Sequence, residues 1–264
     1  MKVFIMTDLE GVSGVTSFLD ETYPTGKYYE QVKHLLTAEL NAAAEGLLEA
    51  GATDILAFDA HGPGGIIFEE IHPAIKLMHG RPLAPMSVRN EIIKSYDVCM
   101  MLGQHAMAGT IDGTLNHTQS SQSIDYYKLN GKAIGEIAQF ALQAGALGLP
   151  MFCLTGDDAA CREVKELIPD ICTVSVKKGL SRTSAISLAP AEARRKIREG
   201  VREALMKQKT SPIRPLVWKG PFVLEKRFFQ SSAADGYDGM PNAKRIDSQT
   251  VQIRGENILD LIYA

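Results

Sequence analysis

Apolar residues along the first half of the chain alternate between two patterns. Lys2–Thr7 and Asp54–Phe58 are short, nearly continuous apolar runs bounded by Asp and Gly, as expected of parallel strands buried on both faces. Between them Val32, Leu35, Leu36, Leu40, Ala43, Leu47 and Leu48 recur at helical spacing, and Gly51 stands where a C-cap is expected. This is one βαβ unit. The same reading places strands at Ala74–Met78, Asp97–Leu102, Met151–Thr155 and Cys172–Val176, and helices at Met86–Ser95, Ile134–Leu147 and Asp158–Leu167. Asn130-Gly131 predicts a type I′ hairpin that closes an antiparallel excursion from Ser120 to Lys132. The fold class expected is α/β: an open, mostly parallel sheet with flanking helices over residues 1–180.

The pattern changes after Gly179. Ala189–Lys207 reads as a long charged helix, with Pro190 in its first turn and Glu192/Lys196 at i,i+4 spacing. Pro212 and Pro215 punctuate a linker, followed by strands at Phe222–Phe229 and Thr250–Arg254 and a short helix from Glu256. Residues 181–264 are therefore expected to form a smaller α+β module, with a role in assembly.

Composition narrows the function. With 28 Lys and Arg against 31 Asp and Glu, the net charge of −3 lacks the basic excess of a nucleic-acid binder. Cys99, Cys153, Cys161 and Cys172 show no C-x-x-C spacing and read as free thiols of a reducing, cytoplasmic setting. The apolar run at the N-terminus is too short for a signal peptide. Ile137–Gly156 is uncharged, but Gln139, Gln143, Gly145, Gly148 and Pro150 divide it into a helix end, a turn and a strand. No membrane span is expected.

Candidate chemistry collects where the strands end, the place where open α/β sheets bind ligands. The first strand ends in Asp8-Leu9-Glu10-Gly11, two carboxylates at i,i+2 that point to one side of an extended chain. The second ends in Asp59-Ala60-His61-Gly62 and the fourth in Gly103-Gln104-His105. Glu136, the only charge between Lys132 and Asp157, opens an otherwise apolar helix. If Asp8, Glu10, His61, His105 and Glu136 converge, their nitrogen and carboxylate donors suit zinc. Two four-coordinate ions need about eight positions; four single donors, Asp8 as a bridge and one shared water supply them. Such a pair implies hydrolysis.

His117 follows His105 after a loop containing Gly109 and Gly113, and could serve as acid/base, nucleophile or oxyanion stabiliser. Asp157 and Asp158 read as helix caps, and His34, His72 and His79 as structural. No phosphate-binding glycine motif is present, which disfavours nucleotide binding.

Asp8-x-Glu10-Gly11, Asp59-x-His61, Gly103-x-His105, His117 and Gly135-Glu136 occur in the order found in the zinc-dependent D-aminopeptidases of the bacterial dipeptide-transport operon type. The chain resembles that family from Met1 to about Arg182, including Gly156-Asp157-Asp158 and Ser181-Arg182, and more weakly beyond. The resemblance implies two zinc ions held by Asp8, Glu10, His61, His105 and Glu136, with His117 as nucleophile. It implies removal of N-terminal D-amino acids, D-Ala above all, from short peptides, in a decamer-like homo-oligomeric ring. Gln104 stands where the family leads one to expect an aromatic residue, and Asn116 and Thr118 flank His117 in place of serines. These departures spare the ligand set and touch substrate preference. Two rivals fit the residues alone: a metal-dependent phosphatase or amidase, and a metal-binding ring scaffold without turnover.

Overall fold

The central strand β1 (Lys2–Thr7) lies between β2 (Asp54–Asp59) and β4 (Val98–Gln104), parallel to both. Both of its faces are covered by protein, which explains its near-continuous apolar sequence. The computed structural model describes residues 1–264. β3 (Ile75–Met78), β7 (Met151–Asp157), β8 (Cys172–Ser181) and β9 (Ser184–Ser187) complete a seven-stranded sheet in the order β3-β2-β1-β4-β7-β8-β9. Only β9 runs antiparallel to its neighbour. The expected open, mostly parallel sheet is present.

α1 (Tyr29–Glu49) and α5 (Pro190–Thr210) cover one face of this sheet. α2 (Met86–Lys94), α3 (Glu136–Ala146) and α4 (Asp158–Leu167) cover the other. Phe4 and Phe140 meet at 5.9 Å in that second core, both fully buried. Each such side chain contributes about 1.5–3 kcal/mol by leaving water.

A second, antiparallel sheet has the order β11-β12-β10-β5-β6. Its strands are β5 (Ile124–Leu129), β6 (Lys132–Ile134), β10 (Phe222–Phe228), β11 (Ala243–Arg245) and β12 (Thr250–Gly255). The short helices α6 (Ser231–Ala234) and α7 (Ile258–Leu261) accompany it. α3 is shared between the two layers. Ile137, Phe140, Ala141 and Ala144 face the parallel sheet, while Ala138 and Leu142 pack with the antiparallel one. A helix apolar on all sides belongs between two cores, and that sandwich fixes where its first residue, Glu136, projects.

The expected division at residue 180 is corrected. β8 runs through that position, β9 extends the parallel sheet, and α5 joins the first core. The charge on α5 misleads because it is confined to one side of the helix. Arg195 pairs with Glu192 and Glu199, and Arg198 with Glu45, all solvent-exposed contacts worth about 1 kcal/mol or less each. Ala193, Ile197, Val201, Ala204 and Leu205 form the buried stripe that decides its placement. Conversely, the Asn130-Gly131 hairpin forms as expected but belongs to the second sheet, where Leu129 pairs with Leu224. The second layer is thus assembled from residues on both sides of the expected boundary.

Candidate metal centre

In the parallel sheet the chain moves outward from β1 through β2 to β3, then returns to β4 on the other side of β1. The crevice between the carboxyl ends of β1 and β4 is therefore a topological switch point. Asp8 N–H donates to the Leu102 carbonyl at 2.9 Å and Gly11 N–H to the Gly103 carbonyl at 2.7 Å, continuing the strand contact past the ladder. Gly103 has φ +73°, and a Cβ there would lie 2.1 Å from the Asp8 carbonyl oxygen. A Cβ on Gly11 would lie 2.1 Å from the Gln104 carbonyl oxygen. Only glycine permits this approach. It brings Asp8, Glu10 and His105 into one cluster of potential ligand atoms, all within 4.8 Å of one another.

β2 delivers His61 to the same place. Its Nδ1 lies 3.3 Å from Asp8 Oδ1 and 3.1 Å from Glu10 Oε2. On the other side, His105 Nε2 lies 3.2 Å from Asp8 Oδ2 and 3.5 Å from Glu136 Oε1. Asp8 thus turns one oxygen toward each imidazole. The five residues expected to converge do so, and all but Glu136, which is half-buried, are buried.

Each histidine uses its remaining nitrogen on backbone. His61 Nε2–H donates to the Thr22 carbonyl at 2.9 Å, and His105 Nδ1–H to the Ala106 carbonyl at 2.9 Å. His117 Nδ1–H donates to the Leu115 carbonyl at 2.9 Å. A carbonyl can only accept, so in the neutral ring the proton sits on that nitrogen and the facing nitrogen carries the lone pair, the orientation that metal-ligating histidines require. Glu10 Oε2 and His105 Nε2 are buried without a hydrogen-bond partner. Orphaned buried polar atoms are costly, and cations bound in the cluster would satisfy them. The donor set of imidazole and carboxylate fits zinc.

The electrostatics agree. Burial pushes the Asp8 carboxyl up, but hydrogen bonds and charge from His105 and His61 outweigh it and hold the group well below the carboxylate range. Burial disfavours the charged forms of His61 and His105, yet Glu10 with Asp8, and Glu136 with Asp8, raise them well above the usual histidine value. The acids therefore concentrate enough negative potential to hold cations in a buried site.

His117 lies beside this cluster. Its ring stacks on His105 with centroids 4.0 Å apart, and its Nε2 is 3.7 Å from Glu136 Oε1. The loop carrying it includes Leu115 at φ 52° and Gln119 at φ 62°. Left-handed non-glycine residues of this kind are sparsely populated and cluster at functional loops. Gln119 N–H donates to Glu136 Oε1 at 2.7 Å, tying the loop to α3. Phe18, in a π-helical turn spanning Phe18–Thr22, meets the His117 ring edge-on at 5.4 Å.

Other sequence candidates resolve differently. Asp157 caps α4, its carboxylate accepting from Ala159 N–H at 2.8 Å. Asp59 accepts from Gly65 N–H and braces the following loop, outside the ligand cluster. His34 contacts Glu70 and His79 stacks on Phe68, away from the centre. Three contributors were not foreseen. Gln104 Nε2–H donates to Asp8 Oδ2 at 3.3 Å. The Thr22 carbonyl orients His61. Lys177 of β8, buried and lowered by that burial to about 8, donates to the Glu10 and Val15 carbonyls and grips the loop after β1. Only the polar identity of Gln104 within an apolar strand gave any signal.

A cavity of about 480 Å³ opens beside the cluster, lined by Asp8, Glu10, His61, His117 and Glu136 among others. It is of the size that takes a small organic ligand.

Comparison with known proteins agrees with the geometry. A family model for D-aminopeptidases, peptidase family M55, matches residues 1–264. A D-aminopeptidase of Bacillus subtilis (strain 168) is 30% identical over 268 residues, covering 100% of this chain and 95% of that protein. The structure of DppA from Bacillus subtilis, a Zn-dependent D-aminopeptidase and self-compartmentalizing protease, superposes with a TM-score of 0.89 at 28% identity. That superposition covers 100% of this chain and 94% of the other. The chain belongs to the D-aminopeptidase family.

Proposed function

We propose that this protein is a zinc aminopeptidase that holds two ions per chain and removes N-terminal D-residues, D-alanine foremost, from short peptides. One observation carries the reading: Asp8 presents its two oxygens to two different imidazoles, as a bridging carboxylate must. Asp8, Glu10 and His61 would hold one ion, and Asp8, His105 and Glu136 the other. Bound zinc supplies Lewis acidity toward the peptide carbonyl. Zinc dependence in the Bacillus relative supports the choice of metal, and the family supports the D-preference.

His117 is the catalytic residue in this proposal. With Nδ1–H committed to Leu115, its Nε2 has the lone pair that can take up a proton or attack a carbonyl. The stack on His105 and the edge contact from Phe18 hold the ring in place. Rigid support of this kind is what a positioned catalytic group needs. Glu136 Oε1 lies 3.7 Å from Nε2 and so borders the same reaction space.

Assembly into a homo-oligomeric ring belongs to the same proposal. The self-compartmentalizing relative supports it.

Zinc-loaded protein should hydrolyse D-Ala-D-Ala and D-Ala-Gly-Gly far faster than their L counterparts and leave phosphate esters untouched. Equal rates on the two enantiomeric series would remove the D-aminopeptidase assignment. His105→Ala should lower both zinc content and turnover. His117→Ala should keep its zinc while kcat falls by about 10²-fold or more, the scale for losing a positioned acid/base; loss of metal in that variant would make His117 a ligand instead. Light scattering should give a mass well above the 28.8 kDa of one chain, and a purely monomeric species at micromolar concentration would contradict assembly.

A further inference from the structure

The cavity beside the metal centre has a second charged side that the ligand cluster does not use. Three of its lining residues, Asp8, Glu10 and Glu136, are acids, and the one Lys or Arg among them is Arg89 of α2. Arg89 is half-buried, and burial pushes its guanidinium down. No Asp or Glu forms an ion pair with it, and Arg81 adds further positive charge nearby. An arginine held this way without a carboxylate partner is unusual, because its desolvation goes unrewarded.

Its orientation is nonetheless fixed. Nε–H donates to the Ala84 carbonyl at 2.9 Å, and the guanidinium lies over the Phe58 ring at 5.5 Å. Those two contacts leave the terminal amino groups without a protein acceptor. Tyr263 lines the same cavity, and its hydroxyl has no protein partner either. The segment carrying it is fastened to α3, where Gln139 Nε2–H donates to the Ile262 carbonyl at 2.8 Å. Arg81 adds positive potential nearby while its own donors are spent on the Asp59, His61 and Gly62 carbonyls. Met6, Phe58 and Phe140 add an apolar part to the same lining.

We infer that Arg89, assisted by Tyr263, is a subsite for the C-terminal carboxylate of the substrate, so that the protein takes short peptides with a free C-terminus. The inference rests on the aminopeptidase reading for the identity of the substrate. A guanidinium presents parallel N–H donors that match a carboxylate in two-point contact, and a pre-oriented one loses little entropy on binding. A short peptide is a zwitterion with its charges at opposite ends, and this cavity is lined by acids from the ends of β1 and α3 and by a cation from α2. The apolar part of the lining, which includes Phe58 under the guanidinium, would receive the side chain next to the carboxylate. Peptide amides, and longer chains whose carboxylate falls outside about 480 Å³ of space, lose the contact.

The test uses zinc-loaded, full-length protein and a reduced-bond analogue of D-alanyl-D-alanine, in which CH2–NH replaces the scissile amide and prevents hydrolysis. Calorimetry compares this free acid with its C-terminal amide. The acid should bind on the order of 10- to 100-fold tighter, the scale of hydrogen bonds to a charged group. Arg89→Met should abolish that difference, and Arg89→Lys should retain part of it, since the charge remains and the fork is lost. Zinc content of both variants confirms that the metal centre is intact. Equal binding of acid and amide, binding of neither, or a preference that survives Arg89→Met would overturn the inference. Discrimination that depends on Arg89, together with no cleavage of the parent D-dipeptide, would remove the aminopeptidase reading and leave the subsite standing. Cleavage without discrimination would do the reverse.

Discussion

The close approach of two parallel strand ends is the constraint on which the rest of the site depends. Asp8 and His105 directly follow β1 and β4, neighbours at the sheet's switch point, and they meet because the backbones touch at Gly103 and Gly11. Any Cβ at either glycine would collide with a carbonyl oxygen at 2.1 Å, and Gly103 also adopts a φ that L side chains rarely take. Strain of about 1–2 kcal/mol for the left-handed conformation alone would join the overlap. The expense of such a substitution is less important than its geometry: separating the strand ends moves Asp8 off one of its two imidazoles.

The remaining candidate ligands arrive by less direct routes. His61 comes from the next strand and is held by a carbonyl from the Phe18–Thr22 turn. Glu136 comes from α3, whose position is set by two hydrophobic cores pressing on it from opposite sides. The antiparallel sheet therefore takes part in the site without supplying a candidate ligand. It fixes α3, and through Gln139 it also fixes the segment carrying Tyr263. Polar support converges as well: Lys177 holds the loop after β1, and Gln104 donates to Asp8. In a buried cluster of acids and imidazoles such partners decide orientation, because an unsatisfied polar atom there is expensive.

Much of this was legible in the sequence for a physical reason. Strands buried on both faces have little choice but to be apolar, so β1, β2, β4 and β7 announce themselves within a residue or two at their starts. Ligands at strand ends are conspicuous because they interrupt those runs, and the i,i+2 pair Asp8/Glu10 carries its own geometry. Polar short strands were invisible: β9 is Ser-Ala-Ile-Ser and β11 is Ala-Lys-Arg, and neither has a pattern distinct from a loop. The domain boundary failed because the charged face of α5 dominates its composition while a narrow stripe of five residues decides its packing. Pairing of Leu129 with Leu224 links segments far apart in the chain, which no local pattern encodes. Arg89 and Tyr263 reach the cavity from α2 and from beyond α7, and became candidates only once the cavity was formed.

The central claim is that the strand ends and α3 build one cage for two zinc ions, with Asp8 shared between them. Crystals of the zinc-loaded protein, measured at wavelengths on either side of the zinc absorption edge, locate the metal directly. Two anomalous peaks about 3.5–4 Å apart, as in other two-metal sites, are expected, one among Asp8, Glu10 and His61 and the other among Asp8, His105 and Glu136. A single peak, or a second peak that lacks Asp8 as a ligand, would contradict the account.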